Sequence, residues 1–335
     1  FNQSSTASQN TAVGYFALKE NSTGDNNVAV GYYAGAAITT ASYSTAIGRE
    51  ALKTATTGTL NTAVGGQAGE RITTGQENTC VGMNAGAYLT TGSYNTSLGR
   101  MALWKCTTNH FNTAIGTNAL KENTAGSCTG IGYNALAENT SGARNTAVGS
   151  YTLDANTTGD DNSAFGNNAL GNNTTSNENS AFGFEALKTV ASGSGQNTAI
   201  GKQALYSNTS SCNIAVGYQT LYANTTGTYN TAIGYKAAQY NTTAASITAV
   251  GSEALRRNTS GEANVGIGAY ALQMVTTSSN NVGVGQQSLG NNTGHSNCAI
   301  GHQSAMDVST GDKNVCVGYQ AGNSGTNDIT TGDNN

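Results

Sequence analysis

Few side chains of this sequence could carry out acid–base or metal chemistry. The 335 residues include three histidines and six cysteines, and the tightest grouping is His295, Cys298 and His302, with Cys316 further along the chain. Imidazole and thiolate groups at such spacing are typical zinc ligands. Cys298 and Cys316, however, occupy adjacent positions of a repeated strand, so their side chains are expected on opposite faces. We therefore predict no metal site and no bound cofactor.

Catalytic groups are equally sparse. No histidine is placed with a Ser or Cys in a pattern typical of nucleophilic catalysis. The aspartates in turns lack the Gly-Gly-x-Gly-x-Asp spacing of calcium-binding repeats. Gly266-Ile267-Gly268 is similar to the start of a dinucleotide-binding loop, but it arises from the repeat and no helix is predicted after it. A polysaccharide-cleaving solenoid would need carboxylates clustered on one face, and none are found. The sequence predicts a protein that is not an enzyme.

Tyrosines are the side chains best suited to ligand binding. Tyr218, Tyr222 and Tyr235 lie in a dense aromatic stretch that begins at Tyr206 and ends at Tyr240. Aromatic rings on a regular ladder could stack on sugar rings, so these three are candidate glycan-stacking residues. The alternative is that the tyrosines cover coil corners or a seam between subunits, which is their commoner role.

These residues are all carried on one repeat. Nineteen glycines follow one another at intervals of 17 residues in fourteen cases, 16 in three and 18 in one. A period of this length is typical of a solenoid in which each repeat forms one coil. We call them the marker glycines: Gly14, Gly31, Gly48, Gly65, Gly82, Gly99, Gly116, Gly132, Gly149, Gly166, Gly183, Gly201, Gly217, Gly234, Gly251, Gly268, Gly285, Gly301 and Gly318.

The residues before each marker glycine predict a short strand. The residue directly before it is large and apolar in every copy, and the β-branched type dominates two residues earlier, so we predict that both face the core. The residue between them is small in every copy, so something packs closely on that face too. Two copies define the predicted structural ladder: Asn145, Thr146, Ala147, Val148, Gly149, and Asn230, Thr231, Ala232, Ile233, Gly234.

The second half of each coil has its own pattern. Ala-Leu follows the marker glycine, and where Gly35, Gly69 or Gly86 replaces the Leu, an aliphatic residue appears three positions later. We predict one apolar plug per coil, supplied from either position. The Asn four residues before the marker glycine predicts an amide ladder between coils. The Thr-Thr-Gly run predicts a corner whose glycine supplies a positive φ.

The cysteines predict buried free thiols rather than a disulfide frame. Cys80 and Cys316 take the small-residue position, Cys298 the β-branched position, Cys128 the Asn position and Cys106 the plug position. A cysteine that replaces a small or apolar residue in place behaves as a small hydrophobe.

Composition limits the partners. Only 10% of residues are charged and the net charge is −4, so no basic patch for nucleic acid is expected. No apolar run approaches the ~20 residues of a membrane span. Residues 1–335 are interpreted as a single repeat array. Thr330–Asn335 repeats Ser22–Asn27 and stops within a coil, and 323–335 is predicted to be an irregular turn with an insertion. We expect a segment of a longer fibre.

The repeat resembles known surface fibres. The Asn-Thr-Ala-Val/Ile-Gly-x-x-Ala unit, at 112–119 and 230–237, resembles the head repeats of trimeric autotransporter adhesins of the YadA type. The full unit is similar to repeat arrays in phage tail fibres. The resemblance implies a left-handed parallel β-roll of three chains, working as a shaft or adhesin on a cell surface or virion. Adhesin heads usually have a shorter repeat, by three residues per coil.

Two functions from different classes follow. The first is a structural fibre shaft or adhesin rod, extracellular or virion-borne, that assembles with itself as a homotrimer or end to end and has a cell-surface glycan as a candidate partner. The trimer is inferred from the second, small-residue face; the alternative is that small residues merely suit a closely stacked exposed ladder. The second function is ice binding, since a row of threonines could form a flat ordered face: Thr11, Thr45, Thr62, Thr79, Thr96 and Thr113.

Overall fold

The computed structural model describes residues 6–322, so the predicted irregular turn at 323–335 lies outside the described residues. Within 6–322 there is no helix, and hence none long and apolar enough to cross a bilayer. The chain divides into two compact units, Phe1–Asn167 and Asn168–Asn335. The first contains β1 (Thr11–Val13), β2 (Val28–Val30), β3 (Thr45–Ile47), β4 (Thr62–Val64), β5 (Thr79–Val81), β6 (Thr96–Leu98), β7 (Thr113–Ile115), β8 (Thr129–Ile131), β9 (Thr146–Val148) and β10 (Ser163–Phe165). The second contains β11 (Ser180–Phe182), β12 (Thr198–Ile200), β13 (Ile214–Val216), β14 (Thr231–Ile233), β15 (Thr248–Val250), β16 (Val265–Ile267), β17 (Val282–Val284), β18 (Cys298–Ile300) and β19 (Val315–Val317).

Within each unit, every strand pairs in parallel with the strand one repeat away. Thr11 is opposite Val28 in the first unit, and Thr231 is opposite Thr248 in the second. Longer and shorter repeats keep this register, because Ser180 pairs with Thr198 and the extra residue is accommodated outside the strands. The predicted all-β parallel solenoid is confirmed, with about 18 turns of ~17 residues.

The predicted direction of the strand side chains is wrong. Ala147, in the middle of its strand, is completely buried, whereas Val148 is half-buried and Ile233 is 41% exposed. The reason is the narrow interior of the coil. A Cβ built on Gly130, at the same middle position, would lie 3.1 Å from Cγ of Leu120. Only a side chain about the size of a methyl group fits there, so the larger residues face outward.

The predicted apolar plug is confirmed. Leu120 and its equivalents after other marker glycines are completely buried. Where Gly35 replaces the leucine, Ile38 is buried in its place, at 1% exposure. A Cβ on Gly35 would lie only 2.9 Å from Cδ1 of Ile38, so the glycine makes room for the isoleucine. Most coils therefore keep at least one large aliphatic group at their centre. The coil after Gly234 has Ala238 at the leucine position instead, and Ile247 is buried at its Asn position.

The predicted asparagine ladder is also confirmed. The Asn145 side-chain amide donates to the carbonyl oxygen of Gly159 (2.7 Å), and its Oδ1 accepts from the backbone N–H of Asn162 (2.9 Å). Oδ1 of Asn230 likewise accepts from the backbone N–H of Ile247 (3.1 Å). These amides are buried, so each satisfies backbone groups that would otherwise have no partner.

The corner glycines do not act as predicted. Gly24, in the Thr-Thr-Gly type corner, has no positive φ; an added Cβ there would instead overlap the carbonyl oxygen of Ala41 in the next coil. Positive φ occurs at non-glycine residues such as Phe16 (58°), Leu18 (49°) and Asn26 (58°), and equivalent positions repeat along the chain. Corner glycine is thus required for close stacking of coils rather than for its backbone conformation.

Candidate interaction surface

The outward face of the strands is the most regular surface of each unit. In every strand the first and third residues point outward and the second points into the coil. Because the strands pair in register, like residues stack: Thr62 lies beside Thr79, and Val64 beside Val81. The face therefore carries two parallel rows, one rich in threonine and one aliphatic.

Exposed large hydrophobic side chains concentrate around this face. Apart from Tyr240, all of those in the described residues lie between the fifth residue before a marker glycine and the second residue after it; they include Tyr43, Ile47, Leu98 and Phe111. We call this surface the outer stripe. Contiguous apolar surface of this kind on a soluble protein is typical of an interaction site.

The predicted ladder residues are divided between the interior and the outer stripe. In the first copy, Asn145 and Ala147 are buried, whereas Thr146 and Val148 are half-buried on the outward face. The copy at 230–234 has the same arrangement. The marker glycines Gly149 and Gly234 have φ values of 135° and 137°. An added Cβ on Gly234 would collide with the backbone of Gly251, so these glycines set the stacking of neighbouring coils.

The structure brings together two of the three candidate glycan-stacking tyrosines. The rings of Tyr218 and Tyr235 are stacked, with centroids 5.6 Å apart and planes 12° apart. They are 38% and 47% exposed, respectively. Tyr222 lies further along its coil and stacks on Tyr206 instead, at 5.0 Å. The three tyrosines therefore form parts of two platforms rather than one site.

Cations and aromatic rings occupy the coil edge formed by the fifth and sixth residues after each marker glycine. The Arg71 guanidinium lies 4.0 Å from the centroid of the Tyr88 ring. Tyr88 meets Trp104 edge to face at 5.1 Å. Nζ of Lys105 and of Lys121 lie 5.8 and 5.9 Å from the indole. These contacts stabilise the half-buried Tyr88 and Trp104 rings.

Sequence reasoning missed a polar ladder at the second residue after the marker glycine. Nε2 of Gln203 donates to Oε2 of Glu185 (2.9 Å), and Nε2 of Gln219 donates to Oε1 of Gln203 (3.0 Å). Nζ of Lys188 donates to Oε1 of Glu185 (2.7 Å), and this bond and the one from Gln203 lower the pKa of Glu185. The sequence does contain a signal for this ladder, because Gln and Glu recur at the second residue after the marker glycine, a position that otherwise varies.

The His and Cys grouping does not form a cluster. Nδ1 of His295 accepts from the backbone N–H of Ser279 (3.1 Å), and His302 stacks on Tyr319 at 5.5 Å. Cys298 lies half-buried on the outward face, whereas Cys316 is buried on the inward face. Within residues 6–322, no group of three or more His, Cys, Asp or Glu side chains is arranged to hold a metal ion.

All six cysteines are free. Those at the small-residue, Asn and plug positions are buried, and Cys298 and Cys212 are half-buried. Burial raises the pKa of the Cys80 thiol to about 11 and that of Cys106 to about 12. These two thiols are thus protonated and unreactive near neutral pH.

The corner sequons are inaccessible. Asn156 and Asn224 begin Asn-Thr-Thr sequences but are completely buried. Their side-chain amides donate to the carbonyl oxygens of Gly159 (3.0 Å) and Gly227 (2.9 Å). A folded coil therefore does not offer these nitrogens to a glycosyltransferase.

No protein-family model and no curated protein sequence matches the chain. The site must therefore be interpreted from its own geometry, which presents ordered rows of small polar, aliphatic and aromatic groups. Such a surface is suited to recognition and packing.

Proposed function

We propose that this chain is a structural fibre shaft or adhesin rod that assembles with copies of itself through the outer stripe. The observation that carries the proposal is the outward direction of the third residue in every strand. Aliphatic and aromatic side chains that never become polar are expected at a surface that is covered in the working protein. The stripe is also in register along each unit, so identical copies could meet along its whole length.

The size of the stripe is sufficient for assembly. In the first unit the ten strands are separated by nine steps of ~4.8 Å, which gives the length of the stripe, and its width along each coil is roughly 20 Å. The product is an area on the order of 800 Å². One partner contributes about this area to a standard protein–protein interface. The resemblance to trimeric adhesin and tail-fibre repeats favours three parallel chains of left-handed coils. It also favours a location on a cell surface or a virion.

This proposal changes which face forms the seam. The sequence indicated that the small residues face a neighbouring chain, but they are buried within the coil. In the proposed homotrimer the threonine and aliphatic rows meet instead, and they supply the larger apolar area.

The assembly is tested by measuring the mass of the full chain with light scattering, before and after charges are placed on the stripe. We expect three times the mass of one chain, and we expect Ile233→Asp combined with Val148→Asp to produce single chains with unchanged circular dichroism. The matched control is Thr226→Asp with Thr158→Asp, on exposed corners away from the stripe. A single-chain mass for the parent would overturn the proposal.

Ice binding is the second candidate, and one observation favours it. The threonines at the start of the strands point outward, as an ice-binding face requires, rather than into the core. Against it, valine replaces threonine in β2, β16, β17 and β19, which removes the hydroxyl, and Phe165 and Phe182 interrupt the neighbouring row. We expect no thermal hysteresis; a clear freezing-point gap with faceted crystals would favour this candidate over the rod.

A further inference from the structure

A notch interrupts the coil edge in the first unit. It has a volume of about 290 Å³ and its floor is formed by Ala36 and Ala37. Tyr33 forms one wall, and Lys19 and Lys53, from the coils before and after, stand at its two sides. This volume is at the lower limit of ~300–1,000 Å³ found for drug-sized ligand pockets, so the notch suits one small ring.

The notch is a property of this coil's sequence. Among the coils, only this one has alanine at both the fifth and the sixth residue after the marker glycine; the preceding coil has Lys19 and Glu20 there and the following coil has Lys53 and Thr54. The two short side chains leave a gap one coil wide between longer neighbours. Its floor lies beyond the buried pair Ala34 and Gly35, whereas its wall, Tyr33, is at the edge of the outer stripe.

The wall of the notch is held in place by other rings. Tyr33 meets Tyr32 at 4.6 Å and Phe16 at 5.1 Å, in both cases edge to face. Nζ of Lys53 lies 5.9 Å from the Tyr33 ring centroid. A fixed aromatic face loses little conformational entropy when a ligand packs on it.

The charges around the notch are paired. Nζ of Lys19 lies 2.8 Å from Oε1 of Glu20, and Nζ of Lys53 lies 3.0 Å from Oε1 of Glu50. A ligand with its own negative charge would be repelled by the Glu20 and Glu50 carboxylates, which already neutralise these two ammonium groups. A neutral ligand with hydroxyl groups could instead accept from an ammonium and donate to a carboxylate, leaving both pairs intact.

We propose that the notch binds a single neutral sugar ring, whose apolar CH face packs on Tyr33 and whose hydroxyls bond to the Lys19–Glu20 pair and to the Lys53 ammonium. The floor of Ala36 and Ala37 admits the ring edge. This site is distinct from the tyrosine platforms at 206–240, and it requires that Tyr33, at the edge of the outer stripe, stay open to solvent in the assembled rod. One ring with few contacts implies a dissociation constant on the order of 1 mM.

The test is saturation-transfer NMR on the full chain with methyl glycosides of glucose, galactose, mannose and N-acetylglucosamine, and with glucuronic acid as the anionic comparison. We expect at least one neutral glycoside to bind. Ala37→Arg fills the notch and should weaken that binding by at least about tenfold. The substitution suits the fold, because the coil containing Gly69 has Arg71 at the same position, also between a glycine and an isoleucine.

Two further variants complete the test. Tyr33→Ala should weaken binding to a similar extent, and Tyr235→Ala, which removes a more exposed ring from another coil, should leave it unchanged. The proposal is overturned if no neutral glycoside binds at tens of millimolar, if Ala37→Arg binds as well as the parent, if glucuronic acid binds more tightly than every neutral glycoside, or if Tyr235→Ala abolishes binding.

Discussion

The residue in the middle of each strand is kept small by the aliphatic plug behind it. Each coil is so thin that the inward strand residue touches the plug directly, as the 3.1 Å gap between a Cβ on Gly130 and Leu120 shows. The large strand residues consequently have only the outside available. Within the strands a small side chain marks the core, which is the reverse of the usual relation between residue size and burial.

This relation predicts opposite responses at two neighbouring residues. Ala147→Val adds volume to the filled interior and should lower the free energy of unfolding by about 1–3 kcal/mol. Val148→Ile adds volume on the outward face, where other coils already have isoleucine, and should change it by no more than about 0.5 kcal/mol. Urea unfolding followed by circular dichroism measures both. Equal losses in the two variants would show that the strand direction is wrong.

Buried thiols make stability depend on pH. Burial raises the pKa of Cys80 to about 11 from the ordinary thiol value of 9.0, so the folded chain holds this proton more tightly than the unfolded chain. The stabilisation is complete below pH 9 and is lost as the pH rises to about 11. Cys80→Ala places the usual residue of this position there, and it should make the loss of stability between pH 9 and pH 11 smaller than in the parent. Thermal unfolding measured across this pH range checks the prediction. If the unfolding temperature falls equally with pH in the two chains, this assignment is wrong.

The unit that repeats in this fold is the single coil, which contains one short strand and the turns that follow it. Residues 146–162 make one repeat, and removing them joins Asn145 to Ser163, which keeps the ladder asparagine next to a strand. Neighbouring coils contact each other through the same positions, so the joined chain preserves every class of contact. Register, rather than the identity of any one coil, determines whether the solenoid closes.

We therefore predict that deleting 146–162 leaves a folded solenoid with unchanged circular dichroism per residue. Deleting Ala147 alone should be far more damaging, because a shift of one residue exchanges the inward and outward faces of the strand. The unfolding midpoints of the two deletions provide the comparison. A whole-coil deletion that is less stable than the single deletion would argue against independent coils.

The sequence predicted the elements well and the direction of their side chains poorly. The glycine period, the plug that moves from the Leu18 position to Ile38, and the Asn145 ladder are local patterns that follow from packing within a coil. The direction of Val148 depends on the width of the coil interior, which no local pattern reveals. The same applies to the notch at Ala36 and Ala37, because it exists only in relation to the coils on either side.

At the scale of the whole molecule, a cysteine within the stripe can report whether the stripe is covered. Cys298 lies half-buried on the outward face of β18, and Cys212 is half-buried at the fifth residue before its marker glycine, at the edge of the same stripe. In the proposed trimer, a thiol reagent at pH 8 should modify both cysteines slowly. In chains carrying Ile233→Asp and Val148→Asp, both should react faster than in the parent. Rapid modification of Cys298 in the parent would mean that this part of the stripe is open.

The constant register has a consequence for how the chain acquires its structure. Strand pairings join residues only 16 to 18 apart, as between Thr113 and Thr129 or Ser180 and Thr198. No pairing within a unit has to wait for a distant part of the chain, so loop closure is rapid and similar at every step. A nascent chain could therefore add each new coil to the finished edge of the previous one while synthesis continues. Each finished coil would then serve as the template for the next, and the rate of folding would be set by the rate of translation.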